Sequence, residues 1–63
     1  MEKNLVFNIE RLAKLQGMTL KDIGKQAGVG ENAIYRWNKM PPKIATLKKV
    51  ADQLKVDYKL LLP

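Results

Sequence analysis

The stretch from Leu20 to Lys39, LKDIGKQAGVGENAIYRWNK, constrains this chain more than any other. It reads as two short helices joined by a tight glycine turn. In the first half, Leu20, Ile23, Gly24 and Ala27 recur at 0, +3, +4 and +7, one face of a 3.6-residue period. Gly28-Val29-Gly30 then ends that helix, because glycine enters the left-handed region without a Cβ penalty. In the second half Ala33, Ile34 and Trp37 form an apolar stripe. Glu31, Asn32, Tyr35, Arg36 and Lys39 fall on the opposite face. A short helix with one buried side and a polar, partly basic other side has the shape and chemistry to enter a DNA major groove.

Sixty-three residues make one small domain, near the lower limit at which a single core holds unaided. There is no cysteine, which excludes disulfides and thiolate metal sites, and no metal or cofactor is expected. Histidine and serine are absent too, so the usual general base and the commonest hydroxyl nucleophile are missing. The six carboxylates form no acid/base dyad, and an enzyme is not expected. Twelve Lys and Arg against six Asp and Glu give a net charge of +6, which favours an anionic partner without specifying nucleic acid. No apolar run is longer than Leu60-Leu61-Leu62, so no membrane-spanning segment or export signal is visible, and a cytoplasmic location is the default.

Around the central stretch the chain reads as further helices. Met1 to Asn4 is a frayed start, with Asn4 as cap for a helix from Leu5 to about Gln16. Leu5, Ile9, Leu12 and Leu15 form its inward stripe, and Gly17 ends it. Met18 tucks inward, and Thr19 caps the next helix with Asp22 at the third position, as in a capping box. Gly24, mid-helix, either marks a place where two helix backbones approach closely or is a neutral replacement of alanine. Asn38-Lys39-Met40-Pro41-Pro42 is a break after the second helix of the central stretch. A helix from about Ile44 to Lys55 follows, with Leu47, Val50, Ala51 and Leu54 inward. Val56 turns the corner, and Asp57 caps a last helix from Tyr58 to Leu62 that contributes Leu60 and Leu61 to the core. Pro63 is either a true end or the start of a linker. The expectation is an all-α, compact five-helix bundle over residues 1–63, with the helix-turn-helix at about 20–39.

The small residue Gly24, the turn glycine Gly28 and the apolar Ile23, Ala27, Val29, Ile34 and Trp37 carry a resemblance. So does the succession of MTLKDIGKQAGVGENAIYRW and TLKKVADQLKVDYKLLL. Together these resemble the lambda-repressor-like helix-turn-helix family of Cro and phage repressors. The resemblance implies a phage- or prophage-type repressor that reads a double-stranded operator through its third helix. It places base contacts at Glu31, Asn32 and Arg36, with Tyr35 beside them. Asn can pair bidentately with adenine, Arg with guanine, and Glu can accept from cytosine N4. Glu31 either reads a base or complements the helix dipole. Tyr35 lies beside the bases, on a phosphate or against the helix surface. Backbone contacts are expected from Lys39 and Lys43, from Lys21 and Lys25 on the preceding helix, and from Gly30 as N-cap of the reading helix. Trp37 has the ring to stack on bases, but its place in the Ile34 stripe assigns it to the core.

Three departures from the family pattern stand out. Leu20 occupies the position of a phosphate-anchoring glutamine, Ala13 and Asn38 replace an arginine–glutamate pair, and the Met40-Pro41-Pro42 loop is shorter and less basic. One module reads too few bases to be selective in a genome, so a homodimer on a near-palindromic site is expected. Its contact comes either from Tyr58 to Leu62 or from a domain outside this chain. The alternative is a protein-interaction module of the same fold, antitoxin- or anti-repressor-like, using Glu31 and Leu20 in a partner surface. A membrane-surface helix is disfavoured, since no apolar stripe forms one long face.

Overall fold

The computed structural model describes residues 4–63, so the frayed start expected for Met1 to Asn4 lies, except for Asn4, outside the described residues. Three α-helices and two 3₁₀ turns make up the fold, and there is no strand among the described residues. Helix α1 spans Leu5–Leu15, α2 Leu20–Gln26 and α3 Ile44–Leu54. Of the five α-helices expected, the third and fifth are instead 3₁₀ turns, at Ile34–Arg36 and Tyr58–Leu61. The all-α class stands; the five-helix count does not.

Local chemistry sets the ends of α1 and α2. Asn4 caps α1, its side-chain oxygen accepting from the Phe7 amide at 2.8 Å. At the other end Gly17 takes φ +71°, with its amide on Lys14 O and the Met18 amide on Ala13 O, a Schellman closure. Thr19 and Asp22 make the full capping box, each side chain accepting from the other's amide at 3.1 Å. Helix α2 then closes in the same way, the Gly28 amide bonding Lys25 O and the Val29 amide Gly24 O.

The core joins the inner faces of all these elements. Leu5, Ile9, Ala13, Leu20, Ile23, Ile34, Trp37, Leu47, Val50, Ala51, Leu54 and Leu61 are buried, with Leu12, Met18, Val29 and Val56 packed against them. Two expectations fail here. Leu15 is 75% exposed although it shares a face with buried Asn8, because it is the last residue of α1 and lies at the end of the packed stripe. Leu60 is also exposed, since the tight last turn buries Leu61 and packs Tyr58 against the core instead.

Asn8 explains why that last turn docks. It is the buried polar side chain of the core, and its Nδ2 donates to Leu61 O at 3.0 Å and to Leu62 O at 3.4 Å. A second long-range strut runs from Gln16 Nε2 to Leu54 O at 2.6 Å, tying the end of α1 to the end of α3. Among the described residues, no buried side-chain polar atom is left without a partner.

Candidate nucleic-acid interface

Helix α2 packs against α1, α3 and the first 3₁₀ turn, so it is the fixed base from which the following segment projects. The turn between them is wound tightly around Gly24. Both the Val29 and the Gly30 amides donate to Gly24 O, at 3.0 and 3.1 Å. A Cβ built on Gly24 would collide with the Gly30 carbonyl oxygen and lie 3.2 Å from its carbon. The expected close approach at Gly24 is therefore real, but the neighbour is the backbone of the turn rather than a second helix. Val29 anchors the turn by packing on the core.

Beyond Gly30 the chain is helical in sense but not an α-helix. Ala33, Arg36, Trp37 and Lys39 amides bond three residues back, and only Met40 bonds four back, to Arg36 O. Gly30 is not the N-cap expected; it sits at φ +109°, and the 3₁₀ turn starts from Ala33 with no side-chain cap. The sequence supplies the reasons. Glycine brings no capping oxygen, while Asn, Ile, Tyr and Trp are mediocre helix formers. Pro41 and Pro42 stop the chain before a long α-helix can propagate.

The sidedness expected of this segment is nonetheless present. Ile34 and Trp37 face the core, with Trp37 only 6% exposed and thus withheld from base stacking. Glu31, Asn32, Tyr35, Arg36 and Lys39 are all exposed, Tyr35 by 52%. Lys21 and Lys25, one helical turn apart on α2, are exposed, as are Lys39 and Lys43 on either side of the proline break. Lys43 is the N-cap of α3 and has no capping bond, a position where a cation opposes the helix dipole. In the α2 cap, the Asp22 carboxyl is held below its ordinary pKa. The main cause is the bond to the Thr19 amide, followed by the Thr19 side chain, with the nearby Lys25 charge adding to them.

The family departures also find their places. Leu20 is buried in the core, so it neither anchors a phosphate nor serves a partner surface. Ala13 is buried without leaving a charge behind, and the Asn38 side-chain oxygen instead accepts from the Val6 amide at 3.5 Å. Sequence reasoning missed a shallow cleft of about 200 Å³ beside the exposed row, lined by Ala33, Arg36, Trp37 and Met40. The signal was there in Met40, four residues after Arg36, but the prolines that follow it read only as a break.

A capped helix, a glycine turn and a second helical segment with one buried and one polar face define a helix-turn-helix protein. The family model for the helix-turn-helix, of the Cro/C1 type, matches residues 9–61, and the chain belongs to that family. Neither a curated protein nor a solved structure matches the chain. Membership makes it a DNA-binding transcription-regulator domain. None of its described helices is long and apolar enough to cross a membrane.

Proposed function

We propose that residues 1–63 act as one operator-reading domain of a phage- or prophage-type repressor, working in the cytoplasm on double-stranded DNA. The observation that carries this reading is the exposed row of Glu31, Asn32, Tyr35 and Arg36, backed by buried Ile34 and Trp37. Asn32 and Arg36 supply bidentate donors for adenine and guanine, each worth about 1–3 kcal/mol of discrimination. Glu31 and Tyr35 flank them. Lys21, Lys25, Lys39 and Lys43, with the Gly30 turn, hold the phosphate backbone and set the register. Two copies bind a near-palindromic operator, with half-sites about 34–36 Å apart so that both present the same groove face. Repression follows from occupying the operator.

The test is selection of bound duplexes from a randomised pool at about 0.15 M salt, a physiological ionic strength. A two-fold symmetric consensus is expected, with adenine and guanine at the positions served by Asn32 and Arg36. Retention without a consensus would reduce the domain to a backbone binder, and no retention would sink the reading.

A further inference from the structure

Ala33, Arg36, Trp37 and Met40, at 0, +3, +4 and +7, line the cleft of about 200 Å³ on the flank of the reading segment. Backbone bonds pin its rim. The Arg36 amide donates to Ala33 O at 3.1 Å and the Met40 amide to Arg36 O at 2.8 Å, which folds Met40 back beside Arg36. Pro41 and Pro42 then stop the winding just past it. Trp37 is the buried wall at 6% exposed, whereas Met40 is 70% exposed. Met40 therefore adds little to the core, and its thioether offers a soft apolar surface that adapts to what it meets. Small-molecule sites run to roughly 300–1,000 Å³, so a cleft of this size suits a small group carried on something larger.

Arg36 is a wall of this cleft and, under the function proposed above, the residue that reads guanine. A guanidinium paired with guanine O6 and N7 brings the cleft against the neighbouring base of the same strand. The apolar group that a duplex presents in its major groove is the pyrimidine 5-methyl, carried by thymine and by 5-methylcytosine. We infer that the cleft seats the 5-methyl of the pyrimidine on the 5′ side of the guanine read by Arg36. The inference rests on the DNA-reading function and names a base that this function leaves open. Continuity with the reading row selects the occupant, since whatever base precedes that guanine is delivered to the cleft. Seated there, the methyl lies against the Met40 thioether, the Ala33 Cβ and the guanidinium face and leaves water. The domain then distinguishes a methylated from an unmethylated pyrimidine–guanine step without any hydrogen bond to the pyrimidine.

The experiment uses the operator obtained by duplex selection, its Arg36 position located as the one whose preference Arg36→Ala relaxes. The duplexes differ only at the preceding pyrimidine: thymine or uracil opposite adenine, and 5-methylcytosine or cytosine opposite guanine. Within each pair the methyl is the sole difference. Anisotropy titrations at about 0.15 M salt should show each methylated base bound about fourfold more tightly than its partner, the transfer value of one buried methyl. The tighter of the two methylated duplexes identifies the base that natively fills the cleft. Met40→Ser, at an exposed position, should bring both ratios to about one while the helical circular dichroism is kept. Leu15→Ser, on exposed apolar surface outside the cleft, should leave both ratios as they are. A purine at the preceding position, binding blind to the methyl, or ratios that survive Met40→Ser would each overturn the inference. A consensus bound without regard to the methyl rejects the cleft and keeps the DNA-reading function. Retention without any consensus rejects both.

Discussion

Gly24 and Lys55 are the two residues whose backbones ask for something their side-chain identity alone does not reveal. At Gly24 an added methyl meets the Gly30 carbonyl, which the hydrogen bonds from Val29 and Gly30 to Gly24 O hold in place. In an exposed helix Gly→Ala gains about 1 kcal/mol. Here we expect Gly24→Ala to lose about 2 kcal/mol or more, as overpacking against unyielding backbone does. Urea unfolding measures it, and a more stable variant would mean the turn does not close on α2. Lys55 ends α3 at φ +58°, a left-handed conformation that costs a side-chain-bearing residue about 1–2 kcal/mol. Lys55→Gly should raise stability by about 0.5–1 kcal/mol, because part of that relief is offset by the freer unfolded glycine. A thermal melt reads the change. Gly24 was legible as a small-residue requirement. The strain at Lys55 was not, because lysine in the last turn of a helix is ordinary.

Among the elements, α2 is determined most completely by its own residues. Its apolar period, its Thr19–Asp22 capping box and its glycine stop all lie within ten residues of one another, and all three form as read. The cap also makes a pH prediction. The folded-state pKa of Asp22 is depressed, so its contribution is present above the unfolded value near 3.9 and is lost as pH falls through the lower folded value. Melting midpoints followed from about pH 6 to about pH 2 should therefore fall more steeply for the native chain than for Asp22→Asn. Parallel curves would show that the carboxylate caps nothing. The reading segment is the opposite case. Its apolar and polar sides were visible in the residue order, yet its 3₁₀ winding was not, since the spacing of Ile34 and Trp37 suits either winding. With no cap before it and two prolines after it, the segment lacks the length to settle into an α-helix.

For the molecule as a whole, the lysines and the reading row make separable contributions to DNA affinity. Under the proposed function, Arg36→Ala should relax preference at one operator position and cost about 1–3 kcal/mol on the native site alone. Lys39→Ala should weaken every duplex alike and lower the salt slope by about one counterion. Titrations on native, singly changed and scrambled operators at several salt concentrations distinguish the two. If both variants lose affinity uniformly, Arg36 is a phosphate contact and the base-reading assignment fails.

What the residue order determined by itself was short-range: the helix stripes, the caps at Asn4, Thr19 and Asp57, the glycine stops, and the exposed polar row. Each is decided by groups within a turn or two of one another, and periodicity and capping chemistry are written at that distance. Tertiary packing decided the rest. Asn8 carried no sign of its role in the residue order, because its partners, the carbonyls of Leu61 and Leu62, lie over fifty positions away. Leu15 and Leu60 looked like core, yet Leu15 ends α1 beyond the packed stripe and Leu61 takes the inward position of the last turn. An apolar groove brings Asn4 and Leu5 together with Trp37, Ile44 and Leu62, and no window of sequence contains it. Burial depends on which faces meet, and that is settled only when all the elements close on one core.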